Sequence, residues 1–274
     1  MNIIICGTVR NVGKHFDKVY DNMIKIASLF NDYEILLYYD KSNDNTLNKL
    51  MYYGSRNHKL SFYINNEPLL EARTHRLSKG RNYLIDRIKS KQDKFPLFIM
   101  MDCDDVCDGE INMNLLRNSL RRMNEWDSLS FWSKGGLKNN DLYYDVWALS
   151  IYPYILPFNY FRNITKVLNN RRKYYKTLRE TSLKTNKYIP CHSAFCGFAI
   201  YKTPNFVDCV YKGDNKLNYI NKTLLLGNLK VEPDIISENE ILDYNEDCEH
   251  RYFNFDSILK HNSKIRISPH YLFS

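Results

Sequence analysis

The 274-residue sequence predicts an α/β fold: a mostly parallel central sheet flanked by helices. Three observations predict it. Apolar runs at 2–6 (NIIIC), 34–39 (EILLYY) and 97–101 (LFIMM) have the length and continuity of strands buried on both faces. Stretches of helical apolar spacing lie between them. Each run also passes directly into polar, turn-forming residues, which puts loops at the carboxyl ends of parallel strands, where such sheets bind ligands.

The elements follow in order. The first run ends at Gly7. Residues 13–30 place Phe16, Val19, Tyr20, Met23, Ile26, Ala27 and Phe30 on one helical face. After the second run, the polar turn from Asp40 to Thr46 leads into a helix near 46–53, and 59–64 (KLSFYI) reads as a third strand. Segment 74–91 is helical, with Leu77, Leu84, Ile85 and Ile88 on one face. Arg81 projects onto that same face, and a charge on an apolar stripe requires a partner. Beyond 97–101 the pattern is less regular. Strands are expected at 128–132, 195–201 and 265–267, with a basic helical insertion near 155–187. One domain spanning 1–274 is expected, with residues 1–110 as one half and 111–274 as the other.

Hydrophobic residues make up 44% and charged residues 26%, which fits a globular chain and excludes a disordered one. The net charge of +8 is concentrated in 162–187, where nine Lys/Arg face the single acid Glu180 and leave the remainder nearly neutral. The seven cysteines are odd in number, irregularly spaced and without a CxxC pair. That argues against a structural zinc framework and for free thiols in a reducing compartment. Neither a signal peptide nor an apolar run of ~20 residues is present, so a cytoplasmic protein without a transmembrane segment is expected, and the glycosylation sequons at Asn163 and Asn221 read as incidental.

The chemistry concentrates at Asp102-Cys103-Asp104-Asp105. Carboxylates one residue apart, just past a buried strand, suit a hard divalent cation such as Mn²⁺ or Mg²⁺. Asp104 is the expected ligand, with Asp105 in support, and Asp102 would contact either the cation or the ribose of a donor. Asp40, at the end of a neighbouring strand, suits a ribose or base edge, whereas Asp44 suits a capping turn. Arg81 is expected to meet a diphosphate. In the segment 245–250 (NEDCEH), Asp247 or Glu249 is a candidate general base and His250 an acceptor contact. His270 is a candidate third metal ligand. Gly197 would let a sugar approach the backbone.

Several segments together resemble the GT-A class of glycosyltransferases, more narrowly fungal-capsule-type mannosyltransferases and related bacterial and viral enzymes. CGTVRNVGKHFDKVYDNM resembles a first-strand loop and helix, with Thr8, Arg10 and Asn11 near a nucleotide. YYDKSNDNT resembles the base- and ribose-holding strand end. RLSKGRNYLID looks like the helix whose Arg81 and Asn82 face the donor, and MMDCDDV occupies the DxD position. YYDVWAL, with Asp145 and Trp147, resembles a donor- or acceptor-side motif. AFCGFAIYK and EDCEHRYF match a late strand and a catalytic acidic loop. The resemblance implies a GT-A (Rossmann-like) fold with a nucleotide half and an acceptor half, Mn²⁺ or Mg²⁺, a nucleotide-diphosphate sugar donor, and a glycan or glycoprotein acceptor.

Two other functions compete. A sugar nucleotidyltransferase needs a Gly-rich phosphate loop after the first strand, and GTVRNVGK holds only two glycines. A nucleic-acid-binding module could use 162–187, but it leaves the acidic cluster unexplained, so no nucleic-acid partner is expected.

Overall fold

The structure, a computed structural model, describes residues 1–133, 143–214, 217–237, 240 and 245–274. The first half alternates strand and helix: β1 (Asn2–Val9), α1 (Phe16–Ala27), β2 (Asp32–Tyr39), α2 (Thr46–Arg56), β3 (Leu60–Ile64), α3 (Arg73–Lys89) and β4 (Leu97–Met101). The second half contains α4 (Met113–Arg121), β5 (Ser128–Trp132), α5 (Ile164–Thr185), β6 (Ile189–Cys191), β7 (Phe198–Lys202), α6 (Lys222–Val231), α7 (Glu249–His261) and β8 (Ile265–Tyr271).

The strands form one sheet in the order β3-β2-β1-β4-β7-β5-β8-β6. β3, β2, β1 and β4 are parallel, and β5 and β8 run alongside each other in parallel. β7 and β6 are the reversed strands. The expected mostly parallel, helix-flanked sheet is therefore present. Alternate residues of each central strand enter opposite cores. Ile4, Cys6, Phe98 and Met100 pack on the side of α3, while Ile3, Ile5, Ile99 and Met101 pack on the side of α1. This two-sided burial is why the strands read as continuous apolar runs.

The chain builds outward from β1 through β2 and β3, then returns to β4 on the other side of β1. The order reverses between β1 and β4, and their carboxyl ends open a crevice there. Gly7 permits the close approach of the two strand ends, since a Cβ on it would meet the Met101 carbonyl oxygen at 2.4 Å and Cys103 Sγ at 2.8 Å.

Three differences from the sequence expectation have physical causes. β7 starts at Phe198 rather than 195, because Gly197 takes a positive φ of 82° and bends the chain before it. Residues from Glu249 onward form a helix, not an extension of the acidic loop. Eight of its residues, polar and apolar alike, are buried, so no apolar stripe announces it. The basic insertion is α-helical only from Ile164, not from near 155, and its Arg171 is buried against Glu232. Asn163 and Asn221 are N-caps, each accepting a hydrogen bond from the backbone N–H three residues on, Lys166 and Leu224. All seven cysteines are free and buried, and no helix among the described residues is long and apolar enough to cross a membrane.

Candidate active site

The crevice is lined by Thr8, Val9 and Arg10 from the end of β1, Asp40 after β2, Arg73, Arg76 and Leu77 from the first turns of α3, and Asp102, Cys103 and Asp104 after β4. It adjoins a second depression that shares Arg73, Leu77, Asp102 and Asp104. That depression adds Arg81, Tyr144, Asp145, Trp147, Phe158, Phe195, Glu249 and His250. The tertiary structure thus brings Thr8, Arg10, Asp40, Arg81, Asp102, Asp104, Asp145, Trp147, Glu249 and His250 around one continuous cleft.

The acid loop is held from behind. Asp102 N–H donates to the Gly197 carbonyl at 2.7 Å, and Val106 N–H donates to Asp104 Oδ1 at 3.2 Å. Desolvation, then the negative charges of Asp102 and Asp105, push the Asp104 carboxyl up from its ordinary range. Two acids concentrated in this way, at the mouth of the sheet, form a donor set that suits a hard cation. Among the described residues, no third His, Cys, Asp or Glu joins them within ligand reach.

Arg81 is 2% exposed and finds the partners that its place on an apolar face requires. Its Nη2 donates to Asp102 Oδ1 at 2.9 Å and its Nη1 pairs with Glu249. The guanidinium lies 5.2 Å from the centre of the Phe195 ring. His250 stacks on that ring at 3.5 Å, and neither of its ring nitrogens has a hydrogen-bond partner among the described residues. Burial, then the charges of Arg81 and Arg73, push its pKa well below the ordinary imidazole range and keep it neutral. Asp145 accepts a hydrogen bond from Ala148 N–H at 3.1 Å. Desolvation dominates its environment and raises its carboxyl to about 6.

Asp40 is buried and accepts a hydrogen bond from Asn65 Nδ2 at 2.8 Å, which orients its carboxylate. Asp44 instead takes Thr46 N–H, Thr46 Oγ1–H and Gly13 N–H, the structural role expected of it. Arg10 reaches the Lys41 carbonyl at the rim.

Four sequence-derived placements are corrected. Asp247 does not line the cleft: it is 2% exposed, pairs with the buried Arg251 at 3.3 Å and accepts from Tyr219 Oη, so it holds the start of α7 in place. His270 is exposed on a separate depression with Arg122 and Tyr188, beyond β7 and β5 from the acids on β4, and does not join them. Gly197 is approached by Val106 rather than by solvent, since a Cβ there would lie 2.3 Å from Val106 Cγ1. Asn82 does not face the cleft and is spent on both backbone groups of Tyr211.

Sequence reasoning missed Arg73 and Arg76. Both sit in the first turn of α3, where helix N–H groups and the helix dipole favour an anion. The signal was available: Arg73, Leu77 and Arg81 recur at intervals of four and share one helix face.

No protein-family model and no curated protein matches the chain. Among solved structures it is similar to Staphylococcus aureus TarS 1–349, at 15% identity and a TM-score of 0.49, over 100% of this chain and 59% of that one. TarS 1–349 in complex with UDP-GlcNAc gives 13% identity and a TM-score of 0.49, covering 100% and 57%. The Pyrobaculum calidifontis mannosyltransferase PcManGT, in complex with GDP-Man and Mn²⁺, gives 10% identity and a TM-score of 0.40, covering 74% and 45%. The chain therefore spans less than two thirds of the length of these structures.

Proposed function

We propose that the chain is a metal-dependent glycosyltransferase of the GT-A class. It would move a hexose from a nucleotide-diphosphate sugar to a hydroxyl of a glycan or glycoprotein. One observation carries this reading: at the point where strand order reverses, the acids Asp102 and Asp104 face the arginine-bearing first turns of α3 across one cleft. A nucleotide diphosphate needs both, a cation between its phosphates and carboxylates, and guanidinium groups on its other oxygens. The narrower kinship with capsule-type mannosyltransferases rests on the order of the motifs alone.

Asp102 and Asp104 would hold Mn²⁺ or Mg²⁺, which supplies charge stabilisation for the departing diphosphate. Thr8, Arg10 and Asp40 would receive the nucleoside, with Asp40 placed for a ribose hydroxyl. Arg73 and the amino end of α3 would take the diphosphate, and Arg81 would lock Asp102 and Glu249 in register. Residues 1–110 would thus supply most of the donor side. The acceptor half, 111–274, would supply Asp145, Trp147, Phe195 and His250. Trp147 and Phe158 would give a sugar ring an apolar face. Asp145 would take the proton of the attacking hydroxyl. It lines the cleft and its raised pKa suits a base working near neutrality, whereas Asp247 is committed to Arg251 and Glu249 to Arg81.

The test is incubation with a panel of nucleotide-sugars and Mn²⁺, reading released nucleotide diphosphate and thermal shift. Release with at least one donor, abolished in Asp104→Asn, is expected. No release and no shift with any donor, with or without metal, would refute the proposal.

A further inference from the structure

At the far end of α7 from the cleft, three side chains of different chemistry converge. Asp208 and Cys209 lie in the segment after β7, and His261 is the last residue of α7. Their ligand atoms all lie within 4.8 Å of one another, and they are the only such group of three among the described residues. His261 Nε2 is 2.8 Å from Asp208 Oδ1, and Cys209 Sγ is 3.7 Å from the same oxygen.

We propose that Asp208, Cys209 and His261 form a zinc site, with water as the fourth ligand. Zinc takes thiolate, imidazole and carboxylate together in tetrahedral geometry, which sets ligand atoms about 3.3–3.7 Å apart. The Cys209–Asp208 separation is already such an edge, the His261–Asp208 contact has to open slightly, and the Cys209 and His261 ligand atoms lie within 4.8 Å of each other. Exposure is graded in the way an entry path requires. Cys209 is buried at the base, while the side chains of Asp208 and His261 are 45% and 28% exposed above it. A deprotonated Cys209 and Asp208 give the site two negative charges, matching Zn²⁺, and the thiol proton passes to solvent on binding. The carboxyl end of α7 adds the favourable end of the helix dipole. The neighbouring Lys260 is turned to the Asp208 backbone carbonyl and to Asp256 Oδ2.

The cysteine spacing argued against zinc because no CxxC pair exists. A mixed site whose ligands are 52 residues apart leaves no such spacing. Bound zinc would tie the segment after β7 to the end of α7, the helix whose other end carries Glu249 and His250.

The experiment uses the full chain carrying Asp104→Asn, which breaks the two-acid donor set of the cleft. Zinc stoichiometry is read by equilibrium dialysis, and Co²⁺ is titrated as a spectroscopic probe. A single zinc per chain, a thiolate-to-cobalt charge-transfer band, and affinity weakened ~10-fold or more in both Cys209→Ser and His261→Gln are expected. His261 is partly exposed, so its variant decides the matter if Cys209→Ser does not fold. Absence of zinc binding, absence of the thiolate band, or zinc binding unchanged in His261→Gln would overturn the proposal.

Discussion

Arg81 is the side chain on which the cleft turns. A guanidinium kept from water is tolerated only when its charge is matched, and Asp102 and Glu249 match it. Replacing it with methionine keeps the stem but leaves two carboxylates without their cation. A loss of ~3–5 kcal/mol in denaturant unfolding is expected, together with loss of nucleotide-dependent stabilisation. Asp145 gives a prediction of a different kind. Its carboxyl titrates at about 6, and only the deprotonated form accepts a proton. The turnover rate of the native chain should therefore rise with pH through about 6 and level off above it. Asp145→Asn should lower the rate ~100-fold or more and abolish that limb. A pH–rate profile with saturating donor checks both, and an unchanged profile in the variant would remove Asp145 from the role of base. At this scale the sequence was informative where a residue contradicted its surroundings: Arg81 stood out as a charge on an apolar helix face. Asp247 and Glu249 did not separate, because neighbouring acids look alike until one faces Arg251 inside the fold and the other faces the cleft.

The elements carry these residues and add constraints of their own. The basic helix α5 is anchored by Arg171. Its Nε and Nη2 groups donate to Glu232, and its Nη1 donates to the Leu156 carbonyl at 2.7 Å. Both charged partners are nearly fully buried. Arg171→Ala should cost ~3–5 kcal/mol, measured by chemical denaturation, whereas Lys173→Ala on the exposed face of the same helix should change stability by less than ~0.5 kcal/mol. The bend at Gly197 is equally specific. Its φ of 82° and the contact with Val106 both exclude a side chain. Gly197→Ala should destabilise by ~1–3 kcal/mol and disturb the Asp102 loop that hydrogen-bonds to its carbonyl. The amphipathic helix α1 and the apolar strands were legible from periodicity, because one face or both faces met a core. Helix α7 was not, because burial on nearly every side erases the pattern that marks a helix.

For the whole molecule, a ligand that binds only the folded state raises its stability by mass action, ~2.7 kcal/mol at a hundredfold excess over Kd. On the proposed function, a nucleotide diphosphate with Mn²⁺ should raise the thermal midpoint, and either component alone should do so less, since the acids and the phosphates would complete each other's cation shell. A midpoint unmoved by UDP or GDP with Mn²⁺ in differential scanning fluorimetry would count against the donor cleft. What the sequence determined by itself was local: which stretches are buried strands, which helices are amphipathic, and that acids stand at a strand end. These depend on residue chemistry and on periods of two or 3.6, which are written along the chain. What only the tertiary structure decided was facing. The reversal of strand order between β1 and β4 gathers Thr8, Asp40, Asp102 and Asp104 from separate loops. The packing of α7 gives Asp247 to Arg251, Glu249 to Arg81 and His261 to Asp208. Which carboxylate reaches the cleft depends on register and burial between elements distant in sequence, and no local pattern encodes it.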